Sequence, residues 1–201
     1  VTASQPSPWQ LALGDRFDDL DPRLRTYFGP IPAGRVGRGH GTFAVVGTPR
    51  RWLWPAFAVL APAHVLFPVW QTDVAFTVVN TPGRALTAAR TFSFARGDRT
   101  MRDAVACSHG SLQDVLGDPQ RICVRLRADV VDGGLLLTST RAWLILGGIR
   151  FPIPSFLAPR MTLTETVGRD GRQHVAFVLT APLIGRIYEY RGAFDYGIEA
   201  A

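Results

Sequence analysis

Between residues 9 and 28 the apolar side chains Leu11, Leu13, Phe17, Leu20, Leu24 and Phe28 return mostly every three or four positions, with Asp15, Asp18 and Asp19 between them. That spacing gathers the apolar residues on one stripe and predicts a helix. It is interrupted near Asp21-Pro22, where proline favours a fresh first turn, and it ends at Gly29-Pro30. A second helix is predicted over residues 49–60, PRRWLWPAFAVL, with Pro55 inside it as the source of a kink.

From residue 74 onward the period changes to two. Val74, Phe76 and Val78 alternate with smaller or polar neighbours. Leu86, Ala88, Arg90, Phe92 and Phe94 share one face of a second run, and Ile122, Val124, Leu126, Ala128 and Val130 share one face of a third. Such alternation marks half-buried strands. Between the runs stand Asn80-Thr81-Pro82-Gly83, Arg96-Gly97-Asp98-Arg99, Asp132-Gly133-Gly134 and Arg169-Asp170-Gly171-Arg172, which supply the positive-φ residues of tight hairpins. Successive hairpins make an antiparallel meander, and closing it removes the exposed edges. The expected fold is therefore all-β: a single up-and-down, calycin-like barrel of eight to ten strands, with an N-terminal helix and one short covering helix. Residues 1–8, VTASQPSP, are expected to be a disordered segment and residues 9–201 the barrel domain. Residues 147–154, with prolines at 152 and 154, are expected to form an extended connector.

The 201 residues carry a formal net charge of +6, and every basic residue is arginine, since the chain has no lysine. The arginines run from Arg16 to Arg191 without gathering on one helix, so no nucleic-acid partner is expected. The longest apolar stretches are too short to span a bilayer, and no membrane partner is expected either. Cys107 and Cys123 form no CxxC, the four histidines have no metal-ligand spacing, and no metal or cofactor is expected. A cytoplasmic location with reduced thiols follows from the sparse cysteines.

The segment GRVGRGHGTF, residues 34–43, is the one stretch that resembles a phosphate cradle. A dinucleotide fingerprint needs a strand before the glycines and a helix after them, but here Pro30-Ile31-Pro32 precedes and the strand-like TFAVV follows. No Lys-Ser or Lys-Thr follows as in a P-loop. Gly37, Gly39 and Gly41 instead share one face of a strand, leaving room for a bulky ring or a bend. Arg38 and His40 lie on the other face, and either direction is open for them.

From about residue 15 to 198 the order of GHGTFAVVG, RRWLWPAFAVLAP, ARTFSF, GGIRFPIPSFLAP and APLIGRIYEYRGAFDY resembles a bacterial family known as domain of unknown function 4166. The resemblance implies a domain found alone or joined to oxidoreductases that bring their own nucleotide-binding domain. It implies no activity and carries over no catalytic residue.

Several charged or aromatic residues interrupt otherwise apolar rows. Glu165 sits among Met161, Leu163 and Val167, and it lies either inside the barrel, where burial would raise its pKa, or in water near a strand end. Arg90 interrupts its row in the same way, and Arg141 shares a face with Leu137, Ser139 and Trp143. Either arginine is placed to pair with Glu165 or to reach a rim. Tyr188 and Tyr190 share a face with Phe194 and Tyr196 and suit a pocket wall or a core edge. His40 is the histidine with a case for titration in function.

The functional expectation is a small hydrophobic ligand inside the barrel, with binding alone or with acid/base or templating catalysis of the cyclase or isomerase kind on a polyketide-like or terpenoid precursor. Glu165, Tyr190 and His40 are the catalytic candidates, and Arg90, Arg141, Tyr188, Trp143, Phe92 and Arg38 the ligand-binding ones. The alternative is a non-catalytic interaction domain that meets a separate NAD(P)-dependent oxidoreductase through Trp52 and Trp54.

Overall fold

A computed structural model describes residues 5–201. The chain opens with α1 (Pro8–Leu13), a 3-10 segment over Gly14–Asp19 and α2 (Pro22–Phe28). The helical stretch is interrupted before Pro22, as the sequence predicts, and additionally at Gly14, whose φ is +57°. Four residues of the segment expected to be disordered lie outside the described residues. Within the same segment, buried Ser7 caps α1 by accepting from the Gln10 backbone N–H, while the Gln10 side chain accepts from the Ser7 N–H. This reciprocal pairing fixes the helix start.

The strands are β1 (Arg35–Gly47), β2 (Trp70–Thr81), β3 (Leu86–Phe94), β4 (Gly97–Ser108), β5 (Ser111–Leu116), β6 (Ile122–Val131), β7 (Gly134–Leu146), β8 (Ile149–Pro152), β9 (Arg160–Val167), β10 (Gln173–Ala181) and β11 (Gly185–Ala200). Between β1 and β2 lie a 3-10 turn at Arg51–Leu53 and α3 (Trp54–Leu60), where Pro55 occupies the first turn and kinks nothing. Neighbours along the chain pair antiparallel from β1 to β7. The sheet continues through β9, β10 and β11, and β11 pairs with β1. Ten strands therefore close an up-and-down barrel.

The eleventh strand, β8, was expected to be part of a connector. It pairs with the last four residues of β7, beyond the point where β7 leaves β9. Pro152 is tolerated because β8 is an edge strand.

The topology gives the barrel two unlike ends. At one end stand the β2–β3, β4–β5, β6–β7 and β9–β10 turns together with α1, the 3-10 segment and α2. The Asp21 N–H donates to the Gly133 carbonyl there, and the buried faces of Trp9, Leu24 and Phe28 close that end. At the other end stand α3, the β3–β4, β5–β6 and β10–β11 turns, the β7–β8 hairpin and the connection from β8 to β9.

The glycine row of β1 faces inward. Gly37 pairs across from Ile198, and a Cβ there would strike the Tyr196 ring. A Cβ on Gly39 would meet Val78 Cγ1 at 2.8 Å, the Asp195 carbonyl oxygen at 3.0 Å and Phe194 Cδ2 at 3.1 Å. The missing side chains let Tyr196 and Phe194 lie across β1, where Tyr27 of α2 packs on both with centroids 4.7 and 5.6 Å away. Gly39→Ala should cost about 1–3 kcal/mol by overpacking, read as a lower urea midpoint with unchanged slope.

Candidate functional site

The barrel interior is filled unequally. Phe43, Phe76, Phe92 and Phe194, from β1, β2, β3 and β11, pack ring to ring with centroids 4.4–5.5 Å apart in the Phe43–Phe76, Phe76–Phe92 and Phe76–Phe194 pairs. The opposite wall, on β3 to β7 and β9, carries aliphatic and small residues, among them Ala88, Ser139 and Ala142. A cavity of about 180 Å³ remains against that wall, bounded by Trp9 and Tyr27 at the helical end and by Leu66, Ile153 and Pro159 at the other.

Ionisable groups interrupt this apolar lining on one side. Arg90 of β3 donates to Asp103 Oδ1 of the neighbouring β4. Asp103 Oδ2 is buried without a partner, as is Oδ1 of Asp114 on β5. The strand register brings the three together, since Ala88 pairs with Asp103 and Val105 with Asp114. Burial raises the Asp103 carboxyl above the usual range although the Arg90 guanidinium pulls it down. Burial raises Asp114 much further, and the neighbouring Asp103 adds to that, against the pull of Arg90. Burial therefore favours the protonated form of Asp114, and in that form the carboxyl is a hydrogen-bond donor in the cavity lining.

Glu165 projects inward from β9, with Thr162, Thr164 and Thr166 on the outer face. Burial raises its carboxyl to about 7, opposed by a hydrogen bond donated from Gln173 Nε2 of β10 and by the charge of Arg90. Tyr190 of β11 stacks on Phe177 at 4.5 Å with rings 7° from parallel. Burial lifts the phenols of Tyr190 and Tyr27 far above their ordinary range, so both stay neutral hydroxyls, and both feel the charges of Arg90 and Glu165. Arg90, Asp103, Asp114, Glu165, Tyr27 and Tyr190 all line the cavity. Such a set can hold a polar group on an apolar molecule and shift a proton at it.

Of the residues singled out from sequence, the structure brings Glu165, Tyr190 and Arg90 together in this cavity. The other six are elsewhere. Tyr188 and Phe92 point inward but are fully buried in packing, Tyr188 against Phe57 at 5.4 Å and Phe92 within the aromatic half. Arg38 and His40 face outward opposite the glycine row, and Arg38 lies 3.4 Å from Glu199.

Arg141 and Trp143 also leave the interior, and a bulge is the reason. Leu126 pairs with Ser139 but Arg125 pairs with Arg141, so Thr140 is an extra residue and the inward parity switches to Ala142. Arg141 is exposed, and Trp143 lies under the Arg125 guanidinium at 5.7 Å from its ring centroid. Neither pairs with Glu165, and the partner of Arg90 is Asp103. Trp52 is exposed and Trp54 partly buried on α3. Asp103, Asp114 and Tyr27 were not anticipated.

A family model described as domain of unknown function DUF4166 matches residues 20–194. The chain belongs to this family. No curated protein and no solved structure matches the chain. The DUF4166 match takes in every cavity residue named above except Trp9. Among the described residues of this DUF4166 protein no helix is long and apolar enough to cross a membrane, and no group of three or more His, Cys, Asp or Glu is placed to hold a metal ion. Cys107 and Cys123 are free thiols.

Proposed function

We propose that the barrel binds a compact, mostly apolar small molecule and relocates a proton on it. The observation that carries this reading is the cavity itself: an apolar space in which two buried carboxylate oxygens, on Asp103 and Asp114, have no partner. Buried polar atoms are paired in nearly all folded proteins, and unpaired ones mark places where a missing partner belongs. A ligand hydroxyl supplies a donor to either oxygen, and a ligand carbonyl accepts from whichever carboxyl is protonated.

Size narrows the class. A dry cavity of about 150 Å³ holds benzene, so a space of about 180 Å³ accepts one or two rings without rearrangement of its walls. Small terpenoid or polyketide-like compounds with one carbonyl or hydroxyl fit that description. In the catalytic form of the reading, neutral Asp114 donates to the ligand carbonyl while the ionised fraction of Glu165 takes a proton from the adjacent carbon. Returning that proton to a different carbon completes an isomerisation with no other reactant. Tyr190 and Tyr27 orient the polar group as neutral donors.

The test uses a naphthalene-sized fluorophore, 1-naphthol. Saturable one-to-one binding is expected, with a raised unfolding midpoint in its presence. Ala142→Phe fills part of the cavity from β7, two strands across the sheet from Asp114, and should weaken binding at least tenfold. No saturable binding, or binding that Ala142→Phe leaves unchanged, would remove the reading.

A further inference from the structure

Outside the cavity, the exposed large apolar side chains are distributed unevenly. Among the described residues, all except Leu11 and Val131 lie at the barrel end opposite the N-terminal helices. Trp52 and Val59 stand on the α3 segment, Ile149 on the β7–β8 hairpin, Phe156 and Leu157 in the connection to β9, and Leu183 in the β10–β11 turn. Leu183 is fully exposed, Val59 78% and Phe156 72% exposed. Isolated apolar surface residues need no explanation, but several of them gathered on separate segments at one end of the barrel do.

Hydrogen bonds tie several of these segments together at this end of the barrel. The Asp118 N–H donates to the Ala63 carbonyl, linking the α3 segment to the β5–β6 turn, and the Ile145 N–H donates to the Arg121 carbonyl, linking that turn to β7. Arg50 Nε donates to the Arg186 carbonyl, joining the α3 segment to the start of β11. The connection from β8 to β9 faces both ways: Ile153 and Pro159 line the cavity, while Phe156 and Leu157 face solvent.

Charge is uneven too. The same rim carries Arg50, Arg51, Arg96, Arg121, Arg150 and Arg160, with Asp98 and Asp118 as the acids of its turns. Asp118 is engaged by Arg102 at 3.5 Å. At the far end the arginines are answered by Asp15, Asp18, Asp19, Asp21, Asp132 and Asp170. The positive charge is thus concentrated at this end of the barrel, while at the far end arginines and acids nearly balance.

We propose that this end of the barrel rests on an anionic lipid surface, with the apolar tips inserted at the headgroup boundary and the arginines over the lipid phosphates. Single apolar tips separated by arginines on several loops suit a fluid surface, which accepts scattered insertions and diffuse charge. A folded protein partner would instead need one continuous matching face. The earlier expectation of no membrane partner rested on the lack of a spanning stretch, and surface docking requires none. Docking stands on the rim alone, so its test contains no cavity ligand and its failure leaves the binding reading intact.

The full chain is mixed with vesicles of phosphatidylcholine alone or with about one-third phosphatidylglycerol, and binding is read by flotation and by the shift of tryptophan emission, to which exposed Trp52 contributes. Binding to the anionic vesicles is expected to exceed binding to the neutral ones at least tenfold and to fall as salt is raised. At about 1 kcal/mol per basic residue near the surface, or about fivefold, Arg51→Glu with Arg160→Glu should weaken it at least twentyfold. Phe156→Asp with Leu157→Asp should weaken it at least tenfold. All four positions are exposed, and unchanged unfolding midpoints will show that the variants fold. Equal binding to both vesicle types, binding that these variants leave intact, or no vesicle binding at all, as an acidic protein partner would predict, overturns the proposal.

Discussion

Replacing Arg90 by methionine should destabilise the protein by about 3–5 kcal/mol near neutral pH, the cost of leaving a buried charge without its partner. Asp103 is almost wholly buried, its Oδ1 accepts from Arg90 and its Oδ2 has no partner. Without the guanidinium, Asp103 and Asp114 would share an apolar space with no cation between them. Two relations make the expectation specific. First, the loss should shrink on acidification: losing the guanidinium raises the Asp103 pKa further, so protonation in mildly acidic solution removes the charge that causes the damage. Second, Arg90→Met combined with Asp103→Leu should recover most of the stability, since apolar replacement of a whole buried pair is often neutral. Urea unfolding of the two variants at neutral and mildly acidic pH measures both. A loss below about 1 kcal/mol, or a double variant no more stable than the single one, would show that the pair is not held as described.

The barrel was legible because its signals repeat. Period-two rows and glycine-bearing turns recur along most of the chain, so an error in one strand leaves closure unaffected. The site was less legible because it depends on single residues. Glu165 and Arg90 were visible as charges in apolar rows. The same signal was present at Asp103, between Met101 and Val105, and at Asp114, between Leu112 and Leu116, and reading every inward row for its charged interruptions finds all four. Arg141 and Trp143 were misplaced because the bulge at Thr140 reverses the facing of everything beyond it, and no turn residue announces that reversal. Tyr27 could not have been found by periodicity. Its position over the cavity follows from how α2 crosses the barrel end, which depends on the glycines at 37 and 39, far from it in sequence.

Glu165 should make the protein less stable as pH rises from about 4.5 to about 7. Its carboxyl is raised from 4.5 to about 7 in the folded state, chiefly by burial, against the hydrogen bond from Gln173 and the charge of Arg90. Below that window the group is protonated in both states and contributes nothing to the slope. Within it the folded state holds the proton that the unfolded chain releases, so each rise in pH favours unfolding. Above it the loss is complete, and at about 1.4 kcal/mol per unit it is on the order of 3 kcal/mol. Glu165→Gln removes the titration while keeping the shape and the capacity to accept from Gln173. Its stability should therefore change less than the wild type's between pH 4 and pH 8, by on the order of 3 kcal/mol, and above pH 7 it should be the more stable protein. Asp103 and Asp114 are shifted in the same direction and are present in both proteins, so their part of the slope cancels in the comparison. Parallel pH profiles for the two proteins would mean that Glu165 is solvated in the native state. The same proton bears on function, because a carboxyl that exchanges it near neutrality inside an apolar cavity can take a proton from a bound molecule and return it.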